Sequence, residues 1–325
     1  MRCPVALISC GGRRSARLTV MPITERVLIR QYGQTAAAGN AALFVGAGLS
    51  RSAGYPDWSE LLDTPRQQAD IPNSVTDLPL VAEYYVRNVP GGREALESHV
   101  LESLSRIDAS PGPGHANLIR LPVDDIWTTN YDCLIEHASE AADRGLSVVT
   151  SERDFRQRST SGRRLVKMHG SMPRTAGQSW VEQPTITRKD YEEYEITHQR
   201  TWAALRAAYL TRSFLFLGFS FLDPNIEVLL RLARTIGDIA APEHYTVLKR
   251  PEPEEERRSF ELRVQDLEYS GIAVTIIESY DDLDPLLARL VRRTRTALNN
   301  RRAFRGLAGW VCETFRHAGY ERARA

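Results

Sequence analysis

The residues best suited to chemistry begin at Gly46-Ala47-Gly48-Leu49-Ser50, directly after the apolar run Ala41-Ala42-Leu43-Phe44-Val45. A buried strand entering a glycine turn and then a helix is a phosphate-binding arrangement. Glycines let a backbone approach a diphosphate, and the first helical N–H groups favour negative charge. The dinucleotide fingerprint wants a third glycine where Arg51 stands, and a P-loop wants a Gly-Lys-Ser/Thr that the chain lacks. A dehydrogenase or an ATPase of those types is therefore not expected. Further polar groups follow other apolar runs: Asn130 and Asp132 in Thr128-Thr129-Asn130-Tyr131-Asp132, His169 in His169-Gly170-Ser171, and Ser220 in Leu217-Gly218-Phe219-Ser220. Each also has a plain structural reading. Asn130 and Asp132 can cap a helix starting near Cys133, and a histidine at a strand end is commonly a packed residue. Asp223 can cap a helix with Pro224 at its first position, and Trp58 can be core.

Short apolar runs must position these groups. They recur at Ala41 to Val45, Asp125 to Thr129, Leu165 to Met168, Phe214 to Leu217, Tyr245 to Leu248 and Ile272 to Ile277, separated by helical patterns. That alternation predicts an α/β, Rossmann-like, mostly parallel sheet with helices on both faces. The stretch between the first two runs is too long for one crossover helix. Apolar spacing at Leu78, Val81, Ala82, Tyr85 and at Leu96, Val100, Leu101, Leu104 predicts two helices joined through Pro90-Gly91-Gly92. They belong to a helical insert over about residues 59–122, a small subdomain with a cleft where it meets the sheet. Residues 151–163 and 173–184 read as exposed loops, and Thr187 with Asp190 reads as the start of a helix.

The chain has 325 residues, with 42 Lys and Arg against 41 Asp and Glu, a balance that gives no global basic field for nucleic acid. No run is long and apolar enough to cross a membrane. Cys3, Cys10, Cys133 and Cys312 form no C-x-x-C pair, so neither a zinc site nor a disulfide framework is expected, and a cytoplasmic chain with reduced thiols is the default. Residues 1–26 read as a disordered tail, with Met21 as an alternative start. From Arg292 to the end, nine Arg stand against two Glu. Phe304, Leu307, Val311 and Phe315 recur there at helical spacing, which predicts a basic helical extension over 292–325 that docks on its own domain or on a partner. It lacks the aromatic interleaving that would favour nucleic acid. The main domain is then 27–291.

Gly54-Tyr55-Pro56-Asp57-Trp58 adds an acid and an aromatic just after the glycine turn. With Gly46, Ala47, Gly48 and Ser50, this segment resembles the sirtuin family. Thr128 to Asp132, His169-Gly170-Ser171 and Leu217 to Ser220 match further motifs of that family in the expected order. The resemblance implies NAD+ as substrate, with Asn130, Asp132 and His169 as catalytic residues. It implies Gly46, Ala47, Gly48, Ser50, Asp57, Trp58, Gly218, Ser220 and Asp223 as NAD+-binding residues. Protein deacetylases of the family carry a four-cysteine zinc module after the catalytic histidine, whereas this chain has no cysteine between Cys133 and Cys312. The stretches Gly218 to Asn225 and Thr187 to Tyr191 resemble instead the zinc-free sirtuin-like proteins of bacterial antiphage defence. That branch implies an NAD+ glycohydrolase giving nicotinamide and ADP-ribose, or a cyclised form of it. It also implies restraint by homo-oligomerisation or by a separately encoded partner such as a translocase ATPase. A zinc-free deacylase or ADP-ribosyltransferase, and a sensor that binds NAD+ without turnover, remain as alternatives.

Overall fold

The computed structural model describes residues 22–301, apart from 157–161, 176, 222 and 237–242. The strands are β1 (Ala41–Val45), β2 (Asp125–Thr128), β3 (Ser147–Val149), β4 (Arg164–Lys167), β5 (Ser213–Leu217), β6 (His244–Lys249) and β7 (Ile272–Ile277). They form one seven-stranded sheet in the order β3-β4-β2-β1-β5-β6-β7, and every pairing is parallel. The fold is therefore α/β and Rossmann-like. The strand missing from the sequence reading is β3. It is three residues long, at the sheet edge and half-exposed, so it leaves no apolar run to read.

Alternation of side chains along each strand builds two cores. On one face Leu43, Ile126, Leu165 and Leu215 pack against Leu28 and Tyr32 of the helix Glu25–Ala38 and against Leu286, Leu287 and Leu290 of a helix over residues 283–301. On the other face Phe44, Trp127, Val166, Phe214 and Phe216 pack against Trp202, Leu205 and Tyr209 of the helix Gln199–Thr211, and against Ile226 and Leu229. Each such side chain contributes about 2 kcal/mol on burial. The first helix is capped by the Thr24 side chain and stopped by Gly39 at φ 81°, and its start at Glu25 falls inside the span 1–26 read as a tail from sequence. The expectations for residues 1–21, and for the helix carrying Phe304 to Phe315, lie outside the described residues.

The insert holds the two helices its spacing predicts, Leu78–Asn88 and Gly92–Ser105, with Gly91 at φ 84° between them. With the helix Trp58–Gln68 it forms a third core of Leu61, Leu62, Val81, Tyr85, Leu96 and Val100. Tyr131, Leu134 and Ile186 reach into this core from the sheet side. Among the described residues, no helix is long and apolar enough to cross a membrane.

His244 sets an acid limit on this fold. Its Nδ1 accepts from Phe214 N at 3.2 Å, Tyr209 stacks on it at 4.0 Å, and burial pushes its pKa down to about 3. An unfolded chain takes up a proton near the ordinary histidine value, which the folded site refuses. Stability present above that value is thus lost as pH falls toward the folded one. The thermal midpoint is expected to fall between about pH 7 and about pH 5, and to fall less for His244→Gln, which keeps an acceptor without the titration. Scanning calorimetry across that range checks both.

Candidate functional site

Strands β4, β2, β1 and β5 are neighbours, and their carboxyl ends meet on one edge of the sheet. The chain leaves β1 toward β2 and β4, then crosses to β5 on the other side. The β1–β5 border is thus the switch point at which an open parallel sheet offers a ligand crevice.

At that border β1 runs through Gly46 into the short helix Ala47–Arg51. Gly46 N donates to Leu217 O at 2.9 Å and Gly48 N to Gly218 O at 2.8 Å. A Cβ at position 46 would stand 2.5 Å from Gly218 O, and one at 48 would stand 2.9 Å from Gly218 Cα. Gly218 has φ +62°, and a Cβ there would stand 2.3 Å from Leu49 N. Backbone meets backbone at all three positions, which only glycine allows. The side of Gly46 and Gly48 that would carry a Cβ is turned to Gly218, so both glycines serve the close approach of the two strand ends. Ala47 is half-buried beside them.

Ser50, buried at the end of the turn, joins two groups from beyond β2. Asn130 Nδ2 donates to Ser50 Oγ at 2.9 Å, and Ser50 Oγ donates to Asp132 Oδ2 at 2.8 Å. Thr128 sets this up: its hydroxyl donates to Val45 O and accepts from Asn130 N, at 2.9 and 3.0 Å. Asp132 Oδ1 accepts from Leu134 N at 3.0 Å, so Asp132 serves the following helix as well as Ser50. Asn130 does not cap; its Oδ1 is buried without a partner.

Lys167, at the end of β4, is a residue the sequence reading passed over inside an apolar run. Its Nζ donates to Tyr131 O, Asp132 O and Glu136 Oε1 at 3.2, 2.5 and 2.9 Å. Burial opposes its charge, but Glu136, Cys133 and Asp132 outweigh burial and hold its pKa above the ordinary lysine value. A single cation inside the apolar run Leu165 to Met168 was the signal. The ammonium pins the Asn130–Asp132 loop from below.

His169 leaves β4 as Asn130 leaves β2, each two residues beyond the Thr128–Lys167 register pair. It is buried between the ring edges of Tyr191 and Tyr194, at centroid distances of 5.2 and 5.9 Å. Nε2 has no hydrogen-bond partner and faces Asp223 Oδ2 at 3.5 Å. Burial pushes its pKa below the ordinary 6.5, against the pull of Asp223, which leaves a neutral imidazole. Asp223 Oδ1 accepts from Asn225 N at 2.9 Å and caps the helix Pro224–Ile236, so this residue caps and faces His169 at once. Asn225 Nδ2 is a further buried group without a partner, and the sequence reading assigned it no role.

Gly218 is half-buried and Ser220 exposed after β5. Asp57 caps the helix Trp58–Gln68 in a capping box with Glu60 and pairs with Arg51. Trp58 packs on Tyr131 at 6.1 Å. Among the described residues, no hydrogen bond links Asp57 or Trp58 to Ser50, Asn130, Asp132 or His169.

A second tie comes from the insert. Arg93 donates to Asp190 Oδ2 at 2.6 Å and to Pro184 O at 2.5 Å, gripping the segment in which Thr185 N donates to His169 O at 3.0 Å. Tyr131 Oη donates to Thr185 O at 2.6 Å from the other side. A cavity of about 670 Å³ opens between the insert and the segments 150–153 and 182–198, lined among others by Glu83, Arg93, Glu152, Thr187, Lys189 and His198. None of the site residues expected from sequence lines it. Among the described residues, no group of three or more His, Cys, Asp or Glu side chains is placed to hold a metal ion.

Residues 124–270 match the family model of the SIR2-like domain. The chain is 32% identical over 290 residues to the protein named NAD(+) hydrolase ThsA of Bacillus cereus (strain MSX-D12), covering 85% of this chain and 58% of that protein. It is 31% identical over 283 residues to the protein of the same name from Acinetobacter baumannii (strain 532279), covering 83% and 57%. It is 25% identical over 232 residues to Defense-associated sirtuin 2 of Bacillus subtilis, covering 69% of this chain and 22% of that protein. The chain thus spans less than two thirds of the length of these relatives.

The glycine contact makes its own test. Gly218→Ala adds a Cβ at positive φ against the Leu49 backbone and is expected to destabilise the fold by about 3 kcal/mol or more. Denaturant unfolding of the variant beside wild type measures it.

Proposed function

The chain carries a SIR2-like domain, and on that premise we propose that it is an NAD+ glycohydrolase, cleaving NAD+ with water to nicotinamide, ADP-ribose and a proton. One observation carries the reading. Asn130 Oδ1 and His169 Nε2 are buried and without a hydrogen-bond partner just beyond the ends of adjacent strands, on the edge that carries the β1–β5 switch point. Unpaired buried polar atoms are costly in a fold that has no use for them. The relatives named NAD(+) hydrolases align over most of this chain.

The C1′–N bond of NAD+ breaks through an oxocarbenium-like state, its electron pair passing to the pyridine nitrogen so that nicotinamide leaves neutral. In the proposed mechanism Asp132 takes the carboxamide and Asn130 orients the ribose or the water. His169, neutral through burial, accepts a proton as the water oxygen bonds to C1′. Asp223 holds His169 rather than the substrate, facing Nε2 at 3.5 Å. Gly46, Ala47, Gly48, Ser50, Gly218 and Ser220 form the diphosphate and adenosine side, while Asp57 and Trp58 brace it through the insert. The role proposed for this activity is NAD+ depletion in antiphage defence, in keeping with the name of the Bacillus subtilis relative. Restraint by self-association or by a separately encoded partner belongs to the same proposal.

Chromatography of NAD+ incubated with the purified chain, over a range of protein concentrations, tests the chemistry. Nicotinamide and ADP-ribose are expected from wild type, and loss of about a hundredfold or more in rate from His169→Ala and from Asn130→Ala. Wild-type rates in either variant refute the assignment. The pH profile tests the base. The acid limb of kcat/KM is expected below 6.5, the ordinary value from which burial lowers His169. In Asp223→Asn the limb moves further down, since Asp223, which raises that pKa more than Asp190 does, has lost its charge, and kcat falls with it.

A further inference from the structure

One buried histidine outside the residues placed above has no hydrogen-bond partner at either nitrogen. His115 lies in the helix Pro113–Arg120 and is 1% exposed, with Nδ1 and Nε2 both unpaired. Burial lowers its pKa, against the pull of the Asp132 charge, so the ring is neutral and keeps one N–H and one lone pair unspent. Two unmet polar atoms in the interior are costly, and an apolar ring would fill the same space without that cost.

Its surroundings indicate what it serves. A Cβ at Gly112 would stand 3.9 Å from Ser52 Oγ and 4.0 Å from His115 Nδ1, and one at Gly114 would stand 3.0 Å from Leu49 Cδ1. The first turn of this helix therefore sits on the Leu49–Ser52 turn, whose Ser50 hydroxyl joins Asn130 to Asp132. Asp132 accepts one bond at each oxygen, from Ser50 and from Leu134 N. A carboxylate has room for about four.

We propose that His115 is a positioning residue for the Ser50–Asp132 pair. In the substrate complex its unspent ring N–H joins that pair and keeps Asp132 aimed at the nicotinamide carboxamide. The inference rests on the NAD+-cleaving reading above and adds a residue that neither the motifs nor that reading contains.

His115→Phe roughly keeps the volume and removes both nitrogens, whereas His115→Gln keeps a donor and an acceptor. The measurements are steady-state NAD+ cleavage, inhibition by added nicotinamide, and the thermal midpoint. His115→Phe is expected to melt at or above wild type, while kcat and nicotinamide inhibition each weaken about tenfold and His115→Gln recovers much of both. A folded His115→Phe with wild-type kcat and wild-type nicotinamide inhibition overturns the inference. Should His115→Phe not fold, His115→Met against His115→Gln decides: a deficit in Met recovered in Gln supports the assignment, and equal values overturn it. A wild type that cleaves no NAD+ bears on the proposed function and not on this inference. Calorimetric titration of nicotinamide into wild type and His115→Phe then reads the inference, equal affinities overturning it and about tenfold weaker binding in the variant supporting it.

Discussion

Where β1 and β5 end, two backbones pass so closely that no side chain fits between them. Gly46 and Gly48 donate to Leu217 O and Gly218 O, and a Cβ on any of the three glycines would collide with main chain on the other side. That contact holds the Ala47–Arg51 turn over the sheet and so brings Ser50 to Asn130 and Asp132. From the β5 side it lays Phe219 on Phe44 at 5.0 Å, which sets where the chain enters the helix Pro224–Ile236 and hence where Asp223 stands. The two halves of the site are positioned by one backbone seam.

Charge completes what the seam begins. The Asn130–Asp132 loop has its carbonyls turned down onto Lys167, a fully buried ammonium whose other partner is Glu136. A buried cation without such partners would neutralise or destabilise the fold. Here it draws two carbonyls and a carboxylate to one point, while the Asn130 and Asp132 side chains bond to Ser50. His169 is handled in the opposite way, by removal from water between two tyrosine edges, so that it stays neutral beside a carboxylate. Neighbouring strands thus present a polar chain already hydrogen-bonded and an imidazole nitrogen without a hydrogen-bond partner. The helical insert braces the histidine side through Arg93 on Pro184 and Asp190, and Tyr131 on Thr185 ties that side to the Asn130–Asp132 loop.

Much of this was legible in the residues. The apolar runs announced six strands because burial on both faces demands continuous apolar stretches. Thr187 with Asp190 announced a helix start, and the structure has that capping box. Asp223 before Pro224 announced another. Each of these depends on residues within a few positions of one another. The glycines at 46, 48 and 218 were legible as a place where the backbone must come close to something, but what it comes close to is the other strand end.

The pairings that make the site belong to the tertiary structure. Ser50 lies 80 residues from Asn130 and 82 from Asp132 in the chain, and Arg93 lies 97 from Asp190. Periodicity and caps report on neighbours a turn or a pleat away, and such distances are beyond them. Only the strand order and the parallel register of β1, β2, β4 and β5 place those side chains on one edge. The same applies to the surroundings of Lys167 and His115, which depend on how deep they lie and on which groups were buried with them.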